Sequence, residues 1–280
     1  MAALSCNAPE RYGKGAPETS GAPGRRDAPM SGAPSTAPSG SPGQPENVAA
    51  NGEPTSGGRA RPAPFRERVD DRNALAATVE RAGVHDPAVL TAIRTVPRHE
   101  FVLPVFRIMA YDDRALPIVG GQTISQPSMV ALMTEAAKPT ATSKCLEIGT
   151  GSGYQAAVLA EICKATFSIE YLPEVARFGE THLRATGYGP DRVALRVGDG
   201  YAGWPEAAPF DVIVVTAAPE HVPQPLFDQL ALGGRLVIPV GEKNEVQTLE
   251  LWTRVAEGRG KGAFQRRSLT AVRFVPFVGH

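Results

Sequence analysis

The chain has 280 residues, 42% of them hydrophobic and 21% charged, enough to bury one good core, or one core with a small accessory unit. Its 29 Lys and Arg balance 29 Asp and Glu, and without a block of basic residues no electrostatic binding to nucleic acid is expected. No run approaches the ~18 apolar residues of a membrane span, and "MAALSCNAPE" lacks the charged and apolar parts of a secretory leader, so no membrane association is expected and the cytoplasm is the expected location.

Residues 1–64 are built from Ala, Pro, Gly and Ser. Such a segment has too little apolar surface to offset its ordering entropy and reads as a disordered, passive extension. The folded domain is expected over 65–280. "RERVDDRNALAATVERAG" places Val69, Leu75 and Val79 at roughly helical spacing and ends in Gly83, a plausible cap. "HDPAVLTAIRTVP" follows, with Asp86 as N-cap, Pro87 at the first helical position and Pro97 past the end. Another helix, "PSMVALMTEAA", starts at Pro127.

After Ser143 strands and helices alternate. "KCLEI", "ATFSIEY", "VALRV", "FDVIVVTAA" and "GGRLVIPVG" read as strands, and "QAAVLAEIC" and "PEVARFGETHLRATG" as helices between them. That alternation predicts an α/β domain with a doubly wound, mostly parallel sheet. "VQTLELWTRV" and "LTAVRFVPFV" add two strands, at least one of them antiparallel, around the exposed hairpin "EGRGKGAFQRR". The three cysteines, Cys6, Cys145 and Cys163, form no C-x-x-C and no grouping with histidine. A reducing compartment, buried thiols at Cys145 and Cys163, no disulfide and no metal site are therefore expected.

In such a sheet the first strand-to-helix turn holds the ligand. Here it reads "EIGTGSGY", with Glu147, Gly149, Thr150, Gly151, Ser152 and Gly153. Glycines let the backbone take positive φ and approach a ligand closely. From Gly151, "GSGYQA" fits a dinucleotide loop; from Glu147, "E-x-G-x-G-x-G" fits S-adenosylmethionine-dependent methyltransferases. The acids favour the second reading. Glu147 would repel a pyrophosphate but suits the amino-acid end of S-adenosylmethionine, and Asp199 and Gly200 in "GDG" can meet the adenine amine, whereas Glu170 at the end of the next strand could take a ribose hydroxyl in the dinucleotide reading as well. Each acid also has a plainer role as a cap or turn residue. An oxidoreductase would further need a Tyr-x-x-x-Lys pair, which the helical segments lack.

"VPRHEFV", "LPIVGGQTISQPSMVALMTE", "LEIGTGSGYQAAVLA", "GDGYAGWPEAAPFDVIVVTAAP" and "VRFVPFV" together resemble the protein-L-isoaspartate O-methyltransferase family, from about residue 66 to the C-terminus. The resemblance implies a Rossmann-like class I methyltransferase fold with S-adenosyl-L-methionine as cofactor. The implied activity is methylation of the α-carboxylate of L-isoaspartyl residues in damaged proteins and peptides, and no metal is implied. It further implies a catalytic role for Ser125, a substrate site at Thr123 and Ile124, and cofactor binding by the glycine loop, Glu170, Asp199 and Gly200, with Gln247 near the cofactor. Peptide would lie along Val215–Pro219 and around "RFVPF", with His221 close by. The family often carries Tyr or His where this chain has Ser128. Without the resemblance, Ser125 reads as a cap of the helix that follows, and methylation of another acceptor or a silent cofactor-binding fold stays open.

Overall fold

The structure, a computed structural model, describes residues 4–5, 61–258 and 263–279. The expected disordered extension, residues 1–64, thus lies outside the described residues, apart from a two-residue strand β1 (Leu4–Ser5) and the approach at 61–64. The tip of the expected hairpin, 259–262, lies outside them as well.

Helices α1 (Val69–Arg81) and α2 (Pro87–Thr95) lead into the domain where the spacing predicts them. The Asp86 carboxylate caps α2 by accepting from the N–H groups of Ala88 (2.8 Å) and Val89 (3.2 Å). Gly83, at φ 106°, takes the left-handed turn that stops α1. The buried stripes of both helices, with Leu75, Val79, Leu90 and Ile93, join one cluster with Tyr154, Ala157 and Val158. Between α2 and the next helix the chain makes short 3-10 turns and a small hairpin of β2 (Leu116–Pro117) and β3 (Thr123–Ile124). Helix α3 (Pro127–Ala137) then begins with Pro127 in its first turn.

The sheet follows as β4 (Lys144–Ile148), α4 (Tyr154–Ala160), β5 (Ala165–Glu170), α5 (Pro173–Ala185), β6 (Val193–Val197), β7 (Phe210–Val215), α6 (Gln224–Asp228), β8 (Leu230–Val240), β9 (Gln247–Arg254) and β10 (Phe264–Arg273). Its order is β1-β10-β9-β8-β7-β4-β5-β6. Strands β6, β5, β4, β7 and β8 pair parallel, whereas β9 is antiparallel to both β8 and β10. The expected doubly wound, mostly parallel sheet with an antiparallel C-terminal edge is therefore present. Its central strand β7 buries Val212, Ile213, Val214 and Val215 at 1% exposure or less. At about 1.5–3 kcal/mol for each such side chain, this strand anchors the sheet beside the switch point, where β4 lies between β5 and β7.

Two expectations change. Cys145 in β4 and Cys163 after α4 are joined in a disulfide, not free. The short helix α4 returns the chain to β5 alongside β4, so the two Cα atoms lie 6.3 Å apart, within bridging range, and the cysteine argument for a reducing compartment falls. The last strand ends at Arg273 instead of running through "FVPFV". Pro276 has no N–H to give a ladder, and the segment is held instead by Ala218, whose N–H donates to Val275 (2.9 Å) and whose carbonyl accepts from Phe277 (3.0 Å).

Candidate active site

Beyond Ile148 the chain turns sharply through Gly149, Gly151 and Gly153, all at positive φ. Space is as restrictive as conformation. A Cβ on Gly149 would stand 2.4 Å from Thr216 Oγ1, and one on Gly153 2.8 Å from Leu183 Cγ. The loop is pinned to β5, because the N–H groups of Gly149 (2.8 Å) and Thr150 (3.2 Å) both donate to the carbonyl of Ile169. Thr216, at the end of β7, closes the other side by donating to the Gly149 carbonyl at 2.7 Å. The loop thus forms one wall of an open cleft at the carboxyl ends of β4, β5 and β7, the switch-point position for ligands in such sheets.

The two nearby acids differ in setting. Glu147 is wholly buried, and its Oε2 accepts from the Ser168 hydroxyl at 2.5 Å. Ser168 in turn meets Thr150 Oγ1 at 2.6 Å, and the backbone N–H of Ala156 is directed at the Glu147 carboxyl. Burial pushes the Glu147 carboxyl up to about 8; the Ser168 bond opposes the rise and the charge of Glu170 adds to it. Glu170 ends β5 with each oxygen held by backbone, accepting from Gly151 N–H (3.0 Å) and Leu172 N–H (3.1 Å). A carboxylate offers about four acceptor positions, so both oxygens of Glu170 retain capacity toward the cleft that they line.

Asp199 and Gly200 separate. Gly200 lines the cleft, whereas Asp199 caps the turn Gly200–Ala202 by accepting from Tyr201 N–H at 2.9 Å. Gly279 lies against the Asp199 carboxylate, where an added Cβ would be 2.3 Å from Oδ1. Gln247 is also set back from the cleft. Its amide oxygen accepts from Phe274 N–H at 2.9 Å, which fixes the start of the C-terminal segment. That segment, Phe274–Val278, forms the wall facing the loop, and Phe277 is stacked on Tyr201 with ring centroids 4.3 Å apart.

Thr123, Ile124 and Ser125 complete the cleft, although more than twenty residues separate them from the loop. Ser125 does not cap α3. The cap residue is Gln126, with no side-chain cap bond, and the α3 N–H of Ser128 is met instead by Asp113 at 2.8 Å. Ser128 is buried and accepts from Gln126 Nε2 at 2.9 Å, so it packs behind the cleft. The Ser125 carbonyl accepts from Arg98 Nη2 at 2.8 Å, and no partner of its hydroxyl occurs among the described residues. Arg98 is fully buried, donates also to Ala110 (2.9 Å) and lies 4.7 Å over the Tyr154 ring. Sequence reasoning passed over Arg98 because its partners stand 12 and 27 residues away. Of the expected peptide surface, Thr216, Ala217 and the C-terminal segment line the cleft, while His221 is exposed and does not.

Residues 70–280 match the family model described as protein-L-isoaspartate(D-aspartate) O-methyltransferase. The chain is 55% identical over 195 residues to the protein-L-isoaspartate O-methyltransferase of Opitutus terrae, covering 70% of this chain and 81% of that one. It is 54% identical over 196 residues to the enzyme of the same description from Gloeobacter violaceus, covering 70% and 92%. Among solved structures, a protein-L-isoaspartate O-methyltransferase superposes with a TM-score of 0.65 at 30% identity, over 74% of this chain and 66% of that one. A Plasmodium falciparum protein crystallised with S-adenosyl-L-homocysteine gives 0.64 at 24% identity, over 74% and 98%, and shares the fold.

Proposed function

Since the chain belongs to the protein-L-isoaspartate(D-aspartate) O-methyltransferase family, we propose that the family's reaction takes place in the cleft between the glycine loop, Glu170 and Ser125. The protein transfers a methyl group from S-adenosyl-L-methionine to the α-carboxylate of L-isoaspartyl residues in damaged proteins and peptides. The ester so formed carries a better leaving group than the carboxylate does; the next backbone amide nitrogen attacks the ester carbonyl, the methoxy group leaves with the amide proton as methanol, a succinimide closes, and its hydrolysis returns some normal aspartyl linkage. The observation that carries the site assignment is that Ser125, with a hydroxyl that bonds to no described group, faces the same cleft as the glycine loop and Glu170.

The residues present suit the cofactor. Glu170, oriented by two backbone N–H groups, would take the ribose hydroxyls. Glu147, buried behind the loop at the edge of the cleft, suits a cationic amino-acid end, whose charge would favour its ionised form, over a pyrophosphate, and Gly149, Thr150, Gly151, Ser152 and Gly153 would carry the rest of the contact. Gly200 lies at the wall, and Asp199 supports the cofactor through the turn it caps. S-adenosyl-L-methionine supplies a methyl group on a positively charged sulfur.

The chain's own work is then alignment. An α-carboxylate, with a pKa of about 3.5, is ionised at pH 7, so its attack removes no proton and needs no base. The carboxylate oxygen bonds to the methyl carbon as the carbon–sulfur bond breaks, and that electron pair stays on sulfur. This is why Ser125 stands without a histidine: its hydroxyl donates a hydrogen bond that holds the carboxylate in line, with Thr123 and Ile124 beside it for the peptide backbone. Positioning of this kind is worth roughly 7–11 kcal/mol at best. Arg98 keeps the Ser125 backbone in place from behind.

No helix among the described residues is long and apolar enough to cross a membrane. The test is to follow an L-isoaspartyl peptide by chromatography with protein and cofactor. Gradual appearance of the aspartyl peptide, dependent on both, is the expected result; an isoaspartyl peptide unchanged over the same time contradicts it.

A further inference from the structure

A second group of ligating side chains stands outside the cleft. Glu67 follows the 3-10 turn Ala63–Arg66, and His99 and Glu100 belong to the 3-10 turn Arg98–Glu100. One donor atom from each lies within 4.8 Å of the other two. The His99 side chain is only 4% exposed, and its Nε2 is 3.4 Å from Glu67 Oε2 and 3.5 Å from Glu100 Oε1. Both contacts are at ion-pair distance, so the buried nitrogen between the two carboxylates is matched either by a proton on Nε2 or by a cation in that proton's place.

We infer that Glu67, His99 and Glu100 form a binding site for a divalent transition-metal cation of the zinc class. Donors about 2.0–2.1 Å from a tetrahedral cation sit roughly 3.4 Å from each other along the tetrahedron's edge, and the two distances to Nε2 match that edge. One imidazole and two carboxylates suit zinc and its neighbours, with a fourth position for water, whereas calcium and magnesium select all-oxygen sets. Two carboxylates also balance the charge of one divalent cation.

The surroundings fit this role. His99 Nδ1 lies 2.7 Å from the Tyr111 hydroxyl, so a proton on Nδ1 donated to that oxygen leaves the Nε2 lone pair directed at the cation, the usual outer support of a ligating histidine. Arg107 Nη2 donates to Glu100 Oε1 at 3.0 Å, and a carboxylate oxygen with two lone pairs can accept that bond and still ligate. Arg68 is directed elsewhere, to Asp71 (2.8 Å) and the Arg107 carbonyl (2.6 Å). The Glu67 side chain is 55% exposed, which gives a cation a path from solvent. The expectation of no metal came from cysteine and histidine grouping alone, and did not consider a carboxylate 32 residues before His99. None of the three residues lines the cleft, so the cation would clasp the start of the domain to the turn whose Arg98 holds the Ser125 carbonyl.

The experiment uses the full chain, stripped with a chelator and titrated calorimetrically with zinc; cobalt(II) absorption reports the ligand field, and circular dichroism checks each variant's fold. One equivalent per wild-type chain and a melting temperature that rises with zinc are expected, with binding weakened at least about tenfold in Glu67→Gln and in His99→Gln. Glu67→Gln, at an exposed position, carries the test if His99→Gln fails to fold. No saturable zinc binding by the wild type, or binding unchanged in folded Glu67→Gln, overturns the inference and in the second case sends the cation to another histidine or to Cys6.

Discussion

A hydroxyl that orients an ionised carboxylate contributes one charge-assisted hydrogen bond, about 1.5–3 kcal/mol. Ser125→Ala should therefore lower kcat/KM for an isoaspartyl peptide by roughly 10- to 100-fold and leave the Kd of S-adenosyl-L-methionine nearly unchanged; loss to background would indicate a covalent or proton-transfer role instead. Glu147 makes a separate prediction. Its folded pKa, about 8, exceeds the unfolded value, so the native state holds the extra proton. That contribution to stability is full below about pH 4.5 and is lost as pH rises through about 8. Glu147→Gln cannot ionise, and its stability should fall less between pH 6 and pH 9 than the wild type's, by on the order of a few kcal/mol at most. Urea melts at both pH values check this, and equal differences for the two proteins would contradict it. At this scale the positions of the loop glycines, Glu170 and Ser125 on one cleft were legible because short contiguous motifs carry them. The contacts of Arg98, Gln247 and His99 were not, since their partners are distant in sequence.

Two elements shape the cleft. In the glycine loop, Gly153→Ala would force a side chain to φ 88° and against Leu183, at a cost of about 1–3 kcal/mol. A lowered melting temperature together with weaker cofactor binding is expected, and a variant that binds cofactor like the wild type would show that the turn tolerates it. The C-terminal segment depends on Gln247, and Gln247→Ala leaves the buried Phe274 N–H without its acceptor. The cofactor Kd and the peptide KM should both rise in that variant, with intrinsic tryptophan melts showing a folded core. The strands from β4 to β8 and the helices α4 and α5 were legible because apolar runs alternate with glycine and proline punctuation, whereas the five-residue α6 is too short to show a period. The end of β10 was not, because "FVPF" has strand-like residues and its departure from the sheet is decided by Pro276 and the distant Ala218. The Cys145–Cys163 bridge was hidden for the same reason: α4 had to be placed before the two cysteines could be seen to meet.

At the scale of the whole molecule, the sheet order places β4 at the point where the chain reverses its winding. The β3–α3 junction, the ends of β4, β5 and β7, and the C-terminal segment converge there around one cleft. The fold class and the position of the cleft follow from the alternation of elements alone; which acceptor enters it does not, and rests on family membership and on Ser125. The most direct measurement is transfer of labelled methyl from S-adenosyl-L-methionine to a matched pair of peptides, one with L-isoaspartate and one with L-aspartate. Base-labile label on the isoaspartyl peptide alone, reduced but not abolished by Ser125→Ala, is the predicted result. Cofactor binding with no label on either peptide, or equal label on both, would contradict it.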